Sequence, residues 1–139
     1  MIRFDILTLF PNMFEGILSD SILKRAIDNK LIEVNLIDFR EYSTNKHKTV
    51  DDYAYSGGAG MLISVEPIHL ALKDIENYEN AHKILMSPSG KPLTQKIVQD
   101  LSKEEHIILV CGHYEGIDAR VLDYMDSEIS IGDYVLMGG

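Results

Sequence analysis

Three short segments carry the residues best suited to hold a small molecule: Ser87-Pro88-Ser89-Gly90, Gly112-His113-Tyr114-Glu115-Gly116 and Ser130-Ile131-Gly132-Asp133-Tyr134. Each follows a run of β-favouring residues. Glycine at such a point lets backbone amides and carbonyls approach a ligand closely. Ligands of open parallel sheets bind where the strands end. None of the three segments contains lysine or arginine. Backbone groups can read an adenine edge without one, so the pattern suits a neutral or cationic small molecule better than a triphosphate. Ordinary strand-to-helix turns would show the same spacing, and that reading stays open.

Other chemistry fails when tested against spacing. Ser56-Gly57-Gly58-Ala59-Gly60 is followed by Met61-Leu62, whereas a phosphate-binding loop needs Lys and then Ser or Thr. A dinucleotide fingerprint needs a preceding strand and a third glycine, and neither is present. His113-Tyr114-Glu115 matches half of a zinc-deaminase signature, but the other half needs two cysteines and the chain has one. The five histidines show no metal-ligand spacing, so no metal site is expected. His69, His82 and His106 read as surface or helix-end residues. Cys111 reads as a small core hydrophobe, since Glu115 and Asp118 give it no electropositive setting.

The elements that must position these segments follow from periodicity. Ile2 to Leu9 reads as a strand closed by Pro11. Pro11–Leu18 and Ser21–Asn29 read as short helices, the second with Ile22, Leu23, Ala26 and Ile27 on one face. Ile32–Phe39 is a second strand, and Ser43–Gly60 a long polar loop of the kind that is functional or disordered. Pro67 opens a helix with stripe Ile68, Leu72, Ile75. Lys83–Met86 is a third strand. Thr94 caps a helix with stripe Ile97, Val98, Leu101. His106–Val110 is a fourth strand, purely aliphatic from Ile107 to Val110, and should be buried on both faces. Ile117–Met125 reads as a helix with Ile117, Val121, Leu122 and Met125 inward, and Glu128–Ile131 as a fifth strand. Alternating strands and helices specify an α/β domain with a mainly parallel sheet flanked by helices.

The 139 residues fit one domain, 1–139, with 45% hydrophobic and 25% charged residues. One cysteine excludes an internal disulfide and fits a reducing cytoplasm. No apolar run approaches the ~18 residues of a membrane span. The net charge of −9 argues by itself against a nucleic-acid partner. The ending at Gly138-Gly139, just after an apolar run, reads as a chain cut short.

Taken together, the residues resemble the bacterial tRNA (guanine-N1)-methyltransferase family. The matching segments are Thr8-Leu9-Phe10-Pro11-x-Met13-Phe14, Asn45-Lys46-His47-Lys48, Val50-Asp51-Asp52-Tyr53, Tyr55-x-Gly57-Gly58-Ala59-Gly60-Met61 and Ser87-Pro88-x-Gly90. The most specific are Cys111-Gly112-His113-Tyr114-Glu115-Gly116-Ile117-Asp118 and Glu128-Ile129-Ser130-Ile131-Gly132-Asp133-Tyr134-Val135-Leu136. The resemblance implies a SPOUT fold with a deep trefoil knot near the C-terminal end, S-adenosylmethionine as cofactor, tRNA as substrate and a cytoplasmic homodimer. The cofactor would meet Ser87, Pro88, Gly112, Gly116, Ile131, Gly132, Asp133, Tyr134, Val135 and Leu136. Tyr114 and Glu115 would hold the target guanine, the one just 3′ of the anticodon.

Three departures from the family pattern stand out. Ala54 and Ser56 replace a proline and a glycine around Tyr55, and Met137 stands where threonine is usual. The family's C-terminal helical domain is absent from the chain. The resemblance places the general base and much of the tRNA contact in that domain. This chain is therefore expected to contain no catalytic base, and its acidic charge says little about a longer protein. Two rival readings remain: a ribose 2′-O-methyltransferase, which would want an arginine near the knot, and a non-catalytic ligand-binding or dimerisation module.

Overall fold

The computed structural model describes residues 1–43, 51–53, 61–112 and 117–131; at 21, 51–53, 61 and 62 it describes the backbone alone. Five parallel strands form one sheet: β1 (Ile2–Thr8), β2 (Ile32–Asp38), β5 (His82–Pro92), β6 (His106–Cys111) and β7 (Ser127–Ser130), in the order β2-β1-β6-β5-β7. The expected α/β architecture with a parallel sheet is thus present. Two further strands, β3 (Asp51–Tyr53) and β4 (Met61–Ile63), form an antiparallel pair.

The sheet buries its two faces unequally. On one face, Leu7, Val110 and Leu85 pack with Ile68, Ala71 and Leu72 of α3 (Val65–Lys73) and with Phe39 and Val121. All but Leu85 are wholly buried, and complete burial of one such Leu or Ile side chain stabilises by about 1.5–3 kcal/mol. The spacing Ile68, Ala71, Leu72, Ile75 is the i, i+3, i+4, i+7 stripe that a helix lays on a core. On the other face, Ile84, Ile107 and Ile129 meet Ile97 and Leu101 of α4 (Gln95–Leu101), which buries no residue completely. Thr94 caps α4 as expected, its hydroxyl accepting from the Ile97 amide at 3.2 Å.

Several expectations are corrected. The stretch read as one polar loop from Ser43 to Gly60 contains β3, and β4 follows it. Strand β5 runs on to Pro92 rather than ending at Met86. The segment Ile117–Met125 is not an α-helix but a 3-10 helix over Ala119–Tyr124. Its start is tied down, because Ile117 bridges to Ile63 and the Asp118 amide donates to the Ile63 carbonyl at 2.9 Å. Val121 is buried there, while Leu122 is 40% exposed. The helices α1 (Asn12–Leu18) and α2 (Ser21–Asp28) form, yet Ile22 of the supposed inward stripe is 80% exposed. Val98 of α4 is also exposed, and Leu109 is only half-buried.

The three histidines read as surface or helix-end residues are partly buried and partnered. His69 stacks on Tyr124 with ring centroids 4.2 Å apart. His82 Nε2 lies 3.0 Å from Ser127 Oγ, and His106 Nε2 lies 2.5 Å from Asp5 Oδ2. Each joins two elements that are distant in sequence, which no local pattern reveals.

Candidate functional site

Pairing register brings the candidate segments together. Met86 of β5 lies opposite Cys111 of β6 and opposite Ile129 of β7. The next residues along the chain are Ser87 after Met86, Gly112 after Cys111, and Ser130 then Ile131 after Ile129. Three adjacent parallel strands therefore release their chains at one edge, the position where open α/β sheets bind ligands. Among the candidate residues, Ser87, Pro88, Gly112 and Ile131 are described, and this edge collects all four. Tyr114, Glu115, Gly116, Gly132, Asp133, Tyr134, Val135 and Leu136 lie outside the described residues, as does the glycine cluster 56–60.

Strand β5 departs from a simple strand end. Ile129 pairs first with Met86 and then with Lys91, so residues 87–90 form a four-residue excursion between two contacts with one strand. The excursion turns tightly, with the Ser89 amide donating to Ser87 Oγ at 3.1 Å. It closes at Gly90, where a Cβ would sit 2.6 Å from the Glu128 carbonyl carbon and the Ile129 amide nitrogen. No side chain fits there without backbone movement. The chain then stays on β7, the Leu93 amide donating to the Ser130 carbonyl at 2.8 Å.

The segment leaving β6 is held at its far end. Gly112 leaves space that Ile117 fills, since a Cβ on Gly112 would come within 2.9 Å of Ile117 Cδ1. Beyond it, Asp118 caps the 3-10 helix, accepting from the Arg120 amide at 3.0 Å and from the Arg120 guanidinium. Arg120 holds the Asp118 carboxyl below the usual carboxylate range. The contacts of Ile117 and Asp118 with Ile63 fix the backbone at 117–118. Sequence reading missed them because they depend on Ile63, which is more than fifty residues away.

Chemistry at the described edge is that of uncharged groups. Thr8 and Ser130 are buried polar residues beside it. Burial raises the Cys111 thiol to about 11, so the thiolate needed for a nucleophile is disfavoured, in keeping with its reading as a core residue. Among the described residues no group of three metal-ligating side chains converges. A cleft of about 640 Å³ lies elsewhere, bordered by Arg3, Asp5, Glu33 and Asp74.

The chain matches known proteins along nearly all its length. The sequence model of the family described as "tRNA (Guanine-1)-methyltransferase TrmD" covers residues 2–139. A tRNA (guanine-N(1)-)-methyltransferase of Staphylococcus carnosus is 56% identical over 138 residues, which make up 99% of this chain and 56% of that protein. One of Geobacillus kaustophilus is 53% identical over 139 residues, or 57% of its length. The chain thus spans about half the length of the curated relatives it matches. The crystal structure of the tRNA (m1G37) methyltransferase from Aquifex aeolicus superposes with a TM-score of 0.88 at 42% identity, covering 99% of this chain and 63% of that one.

Proposed function

The chain belongs to the tRNA (guanine-1)-methyltransferase family, and we propose that it forms the part of such an enzyme that binds S-adenosylmethionine and presents the methyl group to N1 of a guanine in tRNA. The family match from residue 2 to 139 carries this reading. The assembly of Ser87, Gly112 and Ile131 at three adjacent strand ends supports it. S-adenosylmethionine carries an adenine and a sulfonium cation. The described edge suits both, since it offers backbone groups and small uncharged residues and places no lysine or arginine where a sulfonium would be repelled.

In this reading Gly112, Gly116 and residues Ile131, Gly132, Asp133, Tyr134, Val135 and Leu136 hold the cofactor through their backbone, and Ser87 and Pro88 line the pocket. The methyl on sulfur is already electrophilic, so the protein's task is to align the guanine nitrogen and remove its proton. Glu115 accepts from the N1–H and N2–H₂ edge of the guanine, and Tyr114 packs against a base. The proton acceptor lies in the part of the relatives that this chain does not span, together with the basic surface that gathers tRNA. A pocket on the rim of so small a domain is half open, and a second copy closes it in a cytoplasmic homodimer. The chain passes through the knot of the SPOUT class close to that rim.

Calorimetry with S-adenosylmethionine and transfer of a labelled methyl group to unmodified tRNA test the proposal together. The chain alone should bind cofactor. Its transfer should fall below that of a version extended to the relatives' length by about 10²–10⁴-fold, the share of a positioned base. Gly132→Val should abolish binding. Unchanged binding in that variant would refute the placement of the pocket. Equal transfer by the short and long chains would put the base within these residues, with Glu115 and Asp51 the first candidates.

A further inference from the structure

A second concavity, between α4 and the β5–β7 margin of the sheet, adjoins the strand-end edge at Ser89 and Gly90 and has a volume of about 470 Å³. Its floor is aliphatic, made of Ile97 and Leu101 from α4 and Ile129 from β7. Ile97 and Leu101 are only half-buried although they face the sheet, because α4 buries no residue completely and so leaves the floor open. The rim is acidic on both sides. Asp100 and Glu104 approach from the helix, Asp126 and Glu128 from the strand margin. Asp100 and Asp126 already have lysines nearby, Lys96 at 3.7 Å and Lys83 at 3.5 Å. Glu104 and Glu128 make no side-chain hydrogen bond or ion pair with any described residue, and Lys91 is the one lysine on the rim.

We propose that this groove docks a positively charged polypeptide segment that carries a large apolar side chain. The apolar anchor would fill the Ile97–Leu101–Ile129 floor, and flanking cations would meet Glu104 and Glu128. The backbone is available as well: β7 is the last strand of the sheet, so its outer row of amides and carbonyls is unpaired within the sheet. An extended segment laid there gains main-chain hydrogen bonds while its side chains alternate between floor and solvent. Acidic residues on an edge strand also discourage edge-to-edge association. That role alone explains neither the two carboxylates contributed across the cleft by the helix side nor the aliphatic floor between them. The groove borders the 87–90 excursion through Ser89 and Gly90, but the residues that carry the inference, Ile97, Leu101, Glu104, Glu128 and Ile129, are not among those assigned to the cofactor.

The test is an NMR titration of the ¹⁵N-labelled chain with three short peptides: alternating Lys–Leu, alternating Lys–Ser and alternating Glu–Leu. The Lys–Leu peptide should shift the amides of Ile97, Leu101 and Ile129, and bind about tenfold or more tighter than the other two, a difference of about 1.4 kcal/mol. Glu104→Lys with Glu128→Lys should weaken it about tenfold, and Glu104→Gln with Glu128→Gln, a milder change for the fold, should weaken it less. Glu15→Lys with Asp123→Lys, the same charge change at exposed positions outside the groove, should leave it unaltered. Equal weakening by the two lysine pairs would reduce the effect to attraction by the net charge of −9 and overturn the proposal. So would Lys–Ser binding as tight as Lys–Leu, or shifts centred on other elements.

Discussion

His106 on β6 meets Asp5 on β1 through a 2.5 Å contact between Nε2 and Oδ2, with the Asp5 side chain all but excluded from solvent. Arg3 completes the cluster. Its Nε is buried 3.1 Å from the same carboxyl oxygen, out of line for a hydrogen bond, and 3.6 Å from Glu33. Asp5→Ala therefore removes the group that two cationic or polar partners share. Breaking a buried pair of this kind costs about 3–5 kcal/mol. Glu33 still faces Arg3, so the lower end is expected. Urea unfolding monitored by circular dichroism measures it, and a loss under about 1 kcal/mol would show that the cluster is not a structural tie.

Gly90→Ala should destabilise the fold more than its chemistry suggests. The new methyl would lie 2.6 Å from β7 backbone atoms, which cannot swing aside as a side-chain tip can. Overpacking of this kind costs about 1–3 kcal/mol. Gly16→Ala is the natural comparison, since nothing lies within 4 Å of a Cβ there and the helix interior favours alanine. The two unfolding midpoints should move in opposite directions. Because Gly90 seats the excursion bearing Ser87 and Pro88, its variant should also weaken S-adenosylmethionine binding, while Gly16→Ala leaves it intact.

Asp118 gives an acid-dependent share of stability. Its carboxyl is held low mainly by the hydrogen bonds from Arg120. A lowered folded value means that the ionised form is favoured in the native state. The contribution is thus full above the ordinary carboxylate range and disappears as pH falls through the lowered value. Asp118→Asn keeps a capping oxygen but loses this charge, so its stability should converge with the parent's in strong acid and fall short of it at neutral pH. The gap should be under about 1 kcal/mol, because Arg120 is 74% exposed. Asp118→Ala loses the cap as well, about 1 kcal/mol at any pH. Urea unfolding series from neutral to acid pH distinguish the variants.

Cys111 should be unreactive in the native state. Its thiol is raised to about 11 by burial alone. At pH 8 an aromatic disulfide reagent should label it only after unfolding, in step with the urea transition. Rapid native labelling would mean that the end of β6 opens locally.

The parts legible in sequence were those specified by neighbours along the chain. Ile107 to Val110 declares a buried strand by being aliphatic without a break, and Thr94 declares a cap by standing three residues before Ile97. Ile117–Met125 misleads for a physical reason. Its apolar spacing imitates a helix, but Ile117 and Asp118 are bound to Ile63, so the helical run begins only at Ala119 and winds as a 3-10 helix. Strand β3 was hidden because three residues show no period until β4 is known to lie beside them. At the candidate site the glycine-bearing strand ends announced themselves, and Ser87, Gly112 and Ile131 do share an edge. The double contact of β5 with Ile129 did not, since it rests on register between strands about forty residues apart.

The strand order β2-β1-β6-β5-β7 also has a bearing on how the protein comes into being. Strand β1 is an interior strand of the sheet, yet one of its neighbours is β6, whose His106 is 101 positions from Asp5. Strand β1 is made before the other strands of its sheet and can pair only with β2 until β6 is made, leaving its other edge bare in the meantime. Contacts so distant in sequence carry a high loop-closure cost and slow the approach to the native state. A strand edge left open in such an intermediate is also prone to aggregate. The strand-end edge, which needs β5, β6 and β7 side by side, can form only once β7, the last-made strand of the sheet, is in place.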